Sequence, residues 1–213
     1  MIATLRLGLV FLFLVLFGGS VARGEDSETR KQFFENLTKL CGQSLEGVTE
    51  FPQTADHPMV GKKLIMSVAT CSDREIRIPL QVGDDKSRTW VLTLSEQGLL
   101  LKHDHRHLDG TPDKQTNYGG WAKAGGTAEE QSFAADAETA KLIPEAATNV
   151  WMLRIDREKL QFTYALQRDN APRYKAVFEL HRGEKKDSAE IRENTGLNAL
   201  SAPNANHSAP RRC

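Results

Sequence analysis

The chain has 213 residues, of which 28 are lysine or arginine and 28 aspartate or glutamate, so its formal net charge is zero with histidine neutral. That balance leaves no electrostatic footprint for nucleic acid. Beyond residue 24 the remaining chain is the size of one domain plus a tail, large enough to bury a core without structural metals or a dense disulfide framework.

Leu7 to Phe17 form an unbroken apolar run behind Arg6 and ahead of Gly18, Gly19, Ser20, Val21 and Ala22. A run of that length is short of the roughly 20 residues a spanning helix needs, and the small residues after it suit a signal peptidase cutting after Ala22 or Gly24. Residues 1–24 therefore read as a secretory signal peptide. No cysteine follows closely enough to be lipid-modified, so the expectation is a soluble, unanchored mature protein, periplasmic or secreted.

Ser27 is a candidate N-cap for a first helix, in which Phe33, Phe34, Leu37, Leu40 and Cys41 recur at helical spacing until Gly42 stops it. Short extended runs then follow, separated by turn residues: Ser44 to Phe51, Lys62 to Thr70, Arg74 to Val82, Arg88 to Leu94 and Leu99 to Leu108. In the third, Ile76, Ile78 and Leu80 alternate with Arg77 and Pro79, which predicts one buried and one wet face; Pro79 points to an edge or a bulge. The reading loosens through Gln115 to Phe133, where Tyr118 and Trp121 anchor extended chain among glycine pairs, and Ala134 to Leu142 reads as a short helix or an irregular connection. Three strands return at Asn149 to Ile155, Gln161 to Gln167 and Arg173 to Leu180, as a meander. Residues 25–182 thus form a single β-rich domain, and 183–213, polar and without apolar period, a disordered tail.

One helix followed by short strands in hairpin order predicts a mainly β fold: an antiparallel up-and-down β-barrel of lipocalin-like type, with a β-sandwich as the alternative. Of three cysteines, Cys41 and Cys71 are the natural disulfide pair in an oxidising compartment, the other reading being two separately buried thiols. Cys213 is left over at the end of the tail.

Half of the chain's six histidines fall in Lys102-His103-Asp104-His105-Arg106-His107. On a strand, His103, His105 and His107 continue the inward line of Leu99 and Leu101, while Lys102, Asp104 and Arg106 face away. His-x-His spacing is a metal-binding arrangement for Zn²⁺ or another divalent transition metal, but the first and third rings are about 13 Å apart on a regular strand. His103 and His105 would need a third ligand, for which Asp109, His57 and His181 are candidates. In the plainer reading the histidines are a polar strand end hydrogen-bonded to Asp73, Asp104 or Tyr118. In a third, His103, His105 and His107 line a small-molecule pocket with Trp90 and Tyr118.

No nucleophile elbow, zinc-protease pair or phosphate loop is present. The residues Leu40-Cys41-Gly42, Cys71-Ser72-Asp73, Arg88-Thr89-Trp90-Val91-Leu92 and Lys102 to Gly110 resemble those of a group of exported bacterial proteins with no assigned activity. That resemblance implies a bacterial envelope location and carries over no chemistry. The expected function is therefore that of an exported, non-catalytic barrel binding a small ligand or an envelope protein; the alternative is a metal-binding protein or metal-dependent enzyme using the His103, His105 and His107 strand.

Overall fold

The computed structural model describes residues 19–52 and 57–181. The apolar leader run, Cys213 and the expected tail lie outside the described residues. Helix α1 (Gly19–Thr38) is followed by strands β1 (Ser44–Phe51), β2 (Leu64–Ser67), β3 (Thr70–Cys71), β4 (Glu75–Val82), β5 (Asp85–Ser95), β6 (Gly98–His105), β7 (Tyr118–Trp121) and β8 (Glu130–Ala134). The short helix α2 (Ala137–Leu142) and a 3-10 turn (Pro144–Ala146) then lead into β9 (Val150–Asp156), β10 (Gln161–Arg168) and β11 (Ala171–Glu179).

All strands belong to one antiparallel sheet in the order β7-β6-β5-β4-β2-β1-β11-β10-β9-β8, with β3 beside β4 as the continuation of β2. The two outer strands approach each other through an Ala122–Phe133 bridge, and Lys123 N donates to Ser132 O at 2.7 Å. The sheet therefore curls nearly shut as an up-and-down barrel, in which consecutive strands are neighbours. A sandwich would need two sheets; the strands of the described residues form one.

Period-2 alternation puts Ile76, Ile78, Leu80 and Val82 of β4 inside, where they join Leu45, Leu64, Met66, Leu92, Leu99, Leu101, Leu153, Phe162 and Phe178 in a single buried core. Pro79 is tolerated within the sheet because the ladder is interrupted beside it: β2 ends against Leu80 and β3 begins against Arg77. Type I′ chemistry joins β10 to β11, where Asp169 and Asn170 both take positive φ, 53° and 58°.

Helix α1 is already under way at Gly19, so Ser27 lies inside it rather than capping it. Its apolar stripe behaves as the spacing predicts: Phe33, Phe34, Leu37 and Leu40 are all buried. The helix packs at the end of the barrel where β6 begins and β7 leads into β8; Asn36 Nδ2 donates to Ala128 O at 3.0 Å and Gly125 N donates to Asp26 at 2.9 Å. The Cys41–Cys71 disulfide ties the end of α1 to β3 at the same place. This end of the barrel is thereby closed.

A bridge across a sequence separation of 30 stabilises the fold by about 3.5 kcal/mol in the chain-entropy treatment. Replacing both cysteines by alanine, or adding dithiothreitol, is expected to lower the urea midpoint by a corresponding amount. A midpoint that does not move would show that α1 is held by its packing alone.

Candidate functional site

The opposite end of the barrel is not covered by α1. There the start of β5, the end of β6, the start of β7, the 143–149 connection, the facing ends of β9, β10 and β11, and the segment at 57–59 surround a cleft of about 560 Å³. Four aromatic rings, Tyr118, Trp151, Tyr164 and Tyr174, form its walls, with His57, His105, Arg88 and Arg168 among them. A volume of this size is typical of small-molecule sites.

The floor of the cleft is a packed aromatic layer. Trp90 is buried, stacked on Tyr164 with centroids 4.4 Å apart and planes 10° from parallel. It is a core residue behind the cleft wall rather than a lining one. His103 lies in the same layer, 3% exposed, stacked on Tyr118 at 4.7 Å and tilted against Trp151 at 5.1 Å. Its protonation follows from its partners. A carbonyl only accepts, so Nδ1 carries the proton and donates to Tyr118 O at 3.2 Å; Nε2 then accepts from the Tyr164 hydroxyl at 3.0 Å. Burial pushes the pKa of His103 down to about 3, so the ring is neutral at physiological pH.

Both His103 nitrogens are thus used, and neither is open to a metal. His105 is half-buried and faces the cleft, its Nε2 3.1 Å from the Tyr118 hydroxyl. Burial, then the charge of Arg88, lowers its pKa as well. His107 does not continue the line. The strand ends at His105, because Asp109 accepts from Thr111 N and Gly110 takes φ 83°, turning the chain back so that His107 N donates to Thr111 O. His107, Leu108 and Asp109 are exposed in that turn. Asp109 therefore does not join His103 and His105, and His181 lies beyond β11 at the closed end. Among the described residues no group of three or more His, Cys, Asp or Glu side chains is placed to hold a metal ion.

Asp104, proposed above as a histidine partner, points to the outer face instead. It accepts from Arg77 Nη2 at 2.7 Å and Arg106 Nε at 3.1 Å, which accounts for its being buried while charged. Of the other histidines, His57 does reach the cleft, stacked on Tyr174 with centroids 5.1 Å apart and planes 16° from parallel. Trp121 is exposed on the outside of the barrel.

Several lining residues carry no signal in the local sequence. Tyr164 and Tyr174 read only as apolar positions of alternating strands, and Arg88 and Arg168 only as polar strand ends. Tyr174 donates to Thr49 Oγ1 at 3.0 Å, since that hydroxyl spends its own proton on Met59 O at 3.1 Å. Arg88 pairs with Asp85. Arg168 donates from Nε to Asn149 Oδ1 at 2.8 Å, and Asn149 is buried.

Comparison of the chain with protein-family models, with curated proteins and with solved structures gives no match. Chemical capacity must therefore be judged from the side chains. Among the described residues the lining contains no serine, threonine, cysteine or lysine, and its polar groups are imidazoles, carboxylates, amides, guanidinium groups and phenols. Burial raises the pKa of Tyr118 to about 12 and those of Tyr164 and Tyr174 above their ordinary value, so the phenols stay protonated and act as hydrogen-bonding groups. A wider groove of about 790 Å³ lies at the closed end, between the 123–130 segment and Arg154 to Glu158. It has no aromatic lining, and its Arg154 is paired with Glu130 and Asp156. Of the two, the cleft at the open end is the one that sets aromatic rings beside polar side chains.

Proposed function

We propose that the protein is an exported, non-catalytic barrel that binds a small molecule in the cleft at the open end. The observation that carries this reading is the contrast between the two ends: α1 and the disulfide close one, while four aromatic rings with tethered polar atoms stand around a cavity at the other. The interior below the Trp90 layer is packed with the described core side chains, so a ligand would sit at the mouth. The reading of the leader as a signal peptide and the disulfide both support a periplasmic or secreted location. Among the described residues no helix is long and apolar enough to cross a membrane. Mass spectrometry of protein recovered from the envelope tests export directly, with a mature chain expected to begin at Arg23 or Glu25; retention of the leader would overturn it.

Binding is tested by titrating the disulfide-intact protein with neutral, anionic and cationic naphthalene derivatives while following tryptophan emission, since Trp151 lines the cleft. At least one class is expected to bind with one-to-one stoichiometry. Tyr174→Ala removes a wall and its stack with His57 and should weaken that binding about five- to tenfold, in line with the energy of an aromatic contact. Failure of every class to bind at millimolar concentration would sink the proposal.

A further inference from the structure

Arg88 and Arg168 stand differently in the cleft. Arg88 has a carboxylate partner in Asp85. Arg168 has none within ion-pair distance among the described residues, and its guanidinium is instead oriented from behind, through Nε, by the buried Asn149 amide. Asn149 is itself fixed, its N–H donating to Ala146 O at 2.9 Å and its carbonyl accepting from Ala135 N at 2.9 Å. The terminal Nη1 and Nη2 groups have no hydrogen-bond partner among the described residues, and the residue lines the cleft. A guanidinium held by its Nε presents a planar two-pronged donor edge, the geometry that takes a carboxylate in a bidentate pair. The neighbouring walls are flat rings, and the phenols of Tyr164 and Tyr174 donate away to His103 and Thr49, leaving oxygen lone pairs rather than protons for an incoming molecule.

Two acidic residues, Asp113 and Glu145, also line the cleft. They set an upper limit on the ligand's charge: a single carboxylate on Arg168 is compensated, whereas a dianion such as a phosphate monoester meets repulsion with only one unpaired cation to offset it. A cleft of about 560 Å³ accommodates one or two fused rings with a short polar group.

We propose that the cleft selects planar aromatic monocarboxylates, with the carboxylate on the Arg168 guanidinium and the ring plane between the aromatic walls. This rests on the cleft being a ligand site, and the test separates the two statements. Full-length mature protein, disulfide intact, is titrated calorimetrically near neutral pH with 2-naphthoate, 2-naphthamide, 2-naphthylmethylammonium and 2-naphthyl phosphate. The carboxylate is expected to bind about tenfold or more tightly than the amide, which is the same size and uncharged, and more tightly than the ammonium or the phosphate. In Arg168→Gln that advantage should fall to about twofold or less; Arg168→Lys, which keeps the charge and loses the fork, should lie between.

If the amide, ammonium or phosphate binds as well as the carboxylate, the anion assignment is overturned and the ligand site stands. The same follows if Arg168→Gln keeps the wild-type ratio. If none of the four binds at millimolar concentration, both statements fail. The comparison among probes uses the unmodified protein, so it holds even where a variant folds poorly.

Discussion

Replacing Gly120 by alanine is expected to lower stability by at least about 3 kcal/mol, or to prevent folding, although the change adds one methyl group. Gly120 lies in β7 opposite Leu101, and on its other side the chain crosses from Ala134 into the start of α2. A Cβ there would sit 2.9 Å from both the Ala134 carbonyl carbon and the Asp136 nitrogen, and nearer still to the Ala134 oxygen. These are backbone atoms with little freedom to retreat. Asp136 N donates to Gly119 O at 2.9 Å, the Asp136 carboxylate pairs with Lys102 at 2.6 Å, and the buried Thr139 hydroxyl donates to Gly119 O while accepting from Gly119 N. The methyl group would therefore have to open the seam through which β7 and β8 close the barrel.

Gly125→Ala serves as the comparison. Its φ of 81° also disfavours a side chain, but nothing lies within 4 Å of the added atom, so only the left-handed backbone penalty of about 1–2 kcal/mol applies. Urea unfolding of both variants reads the difference. Equal destabilisation would mean that the seam at Gly120 is not closed as described.

Mild acid is expected to weaken the fold through His103. Its pKa is about 3 in the fold against the usual 6.5, so between these values the unfolded chain holds a proton that the native one does not. The stabilising contribution is full above pH 6.5 and is lost as pH falls, at about 1.4 kcal/mol per pH unit for one proton. The structural cause is specific: protonating Nε2 would set an N–H against the Tyr164 hydroxyl that now donates to it, inside a layer closed by Trp90 and Trp151. His105, lowered by burial and by Arg88, adds in the same direction. Between pH 6.5 and about 5 most carboxylates remain ionised, so this interval isolates the histidines. Unfolding free energy measured across it should fall in the wild type, and the slope should be smaller by about one proton in His103→Gln. An unchanged slope in the variant would show that His103 titrates freely and is not sealed in the layer.

Much of the barrel was legible because its causes are local. Alternation in β4, turn residues such as Asp169-Asn170, and the apolar stripe of α1 each depend on neighbours a few residues away, and all behave as the sequence predicts. Boundaries set by tertiary contacts were less visible. The histidine strand looked continuous to Leu108, yet the Asp109-Gly110 turn competes for that segment and wins at His105. The strand through Tyr118 was obscured by Gly119 and Gly120. Those glycines are there because two backbones cross within touching distance, a requirement that no local pattern announces.

The sequence by itself determined the mainly β class and the inward direction of His103 and His105, since period-2 alternation is enough to decide them; it made Cys41 and Cys71 the natural pair, and the structure joins them. Tertiary structure alone decided what those histidines do. Closure of the sheet brought Tyr164 from β10 against His103, consuming the nitrogen a metal would need, and gathered His57, Arg88, Trp151, Arg168 and Tyr174 around the same opening from distant parts of the chain. A strand's own pattern says which face a side chain takes; which other residues share that face depends on where every intervening strand lies, and that is settled only when the barrel shuts.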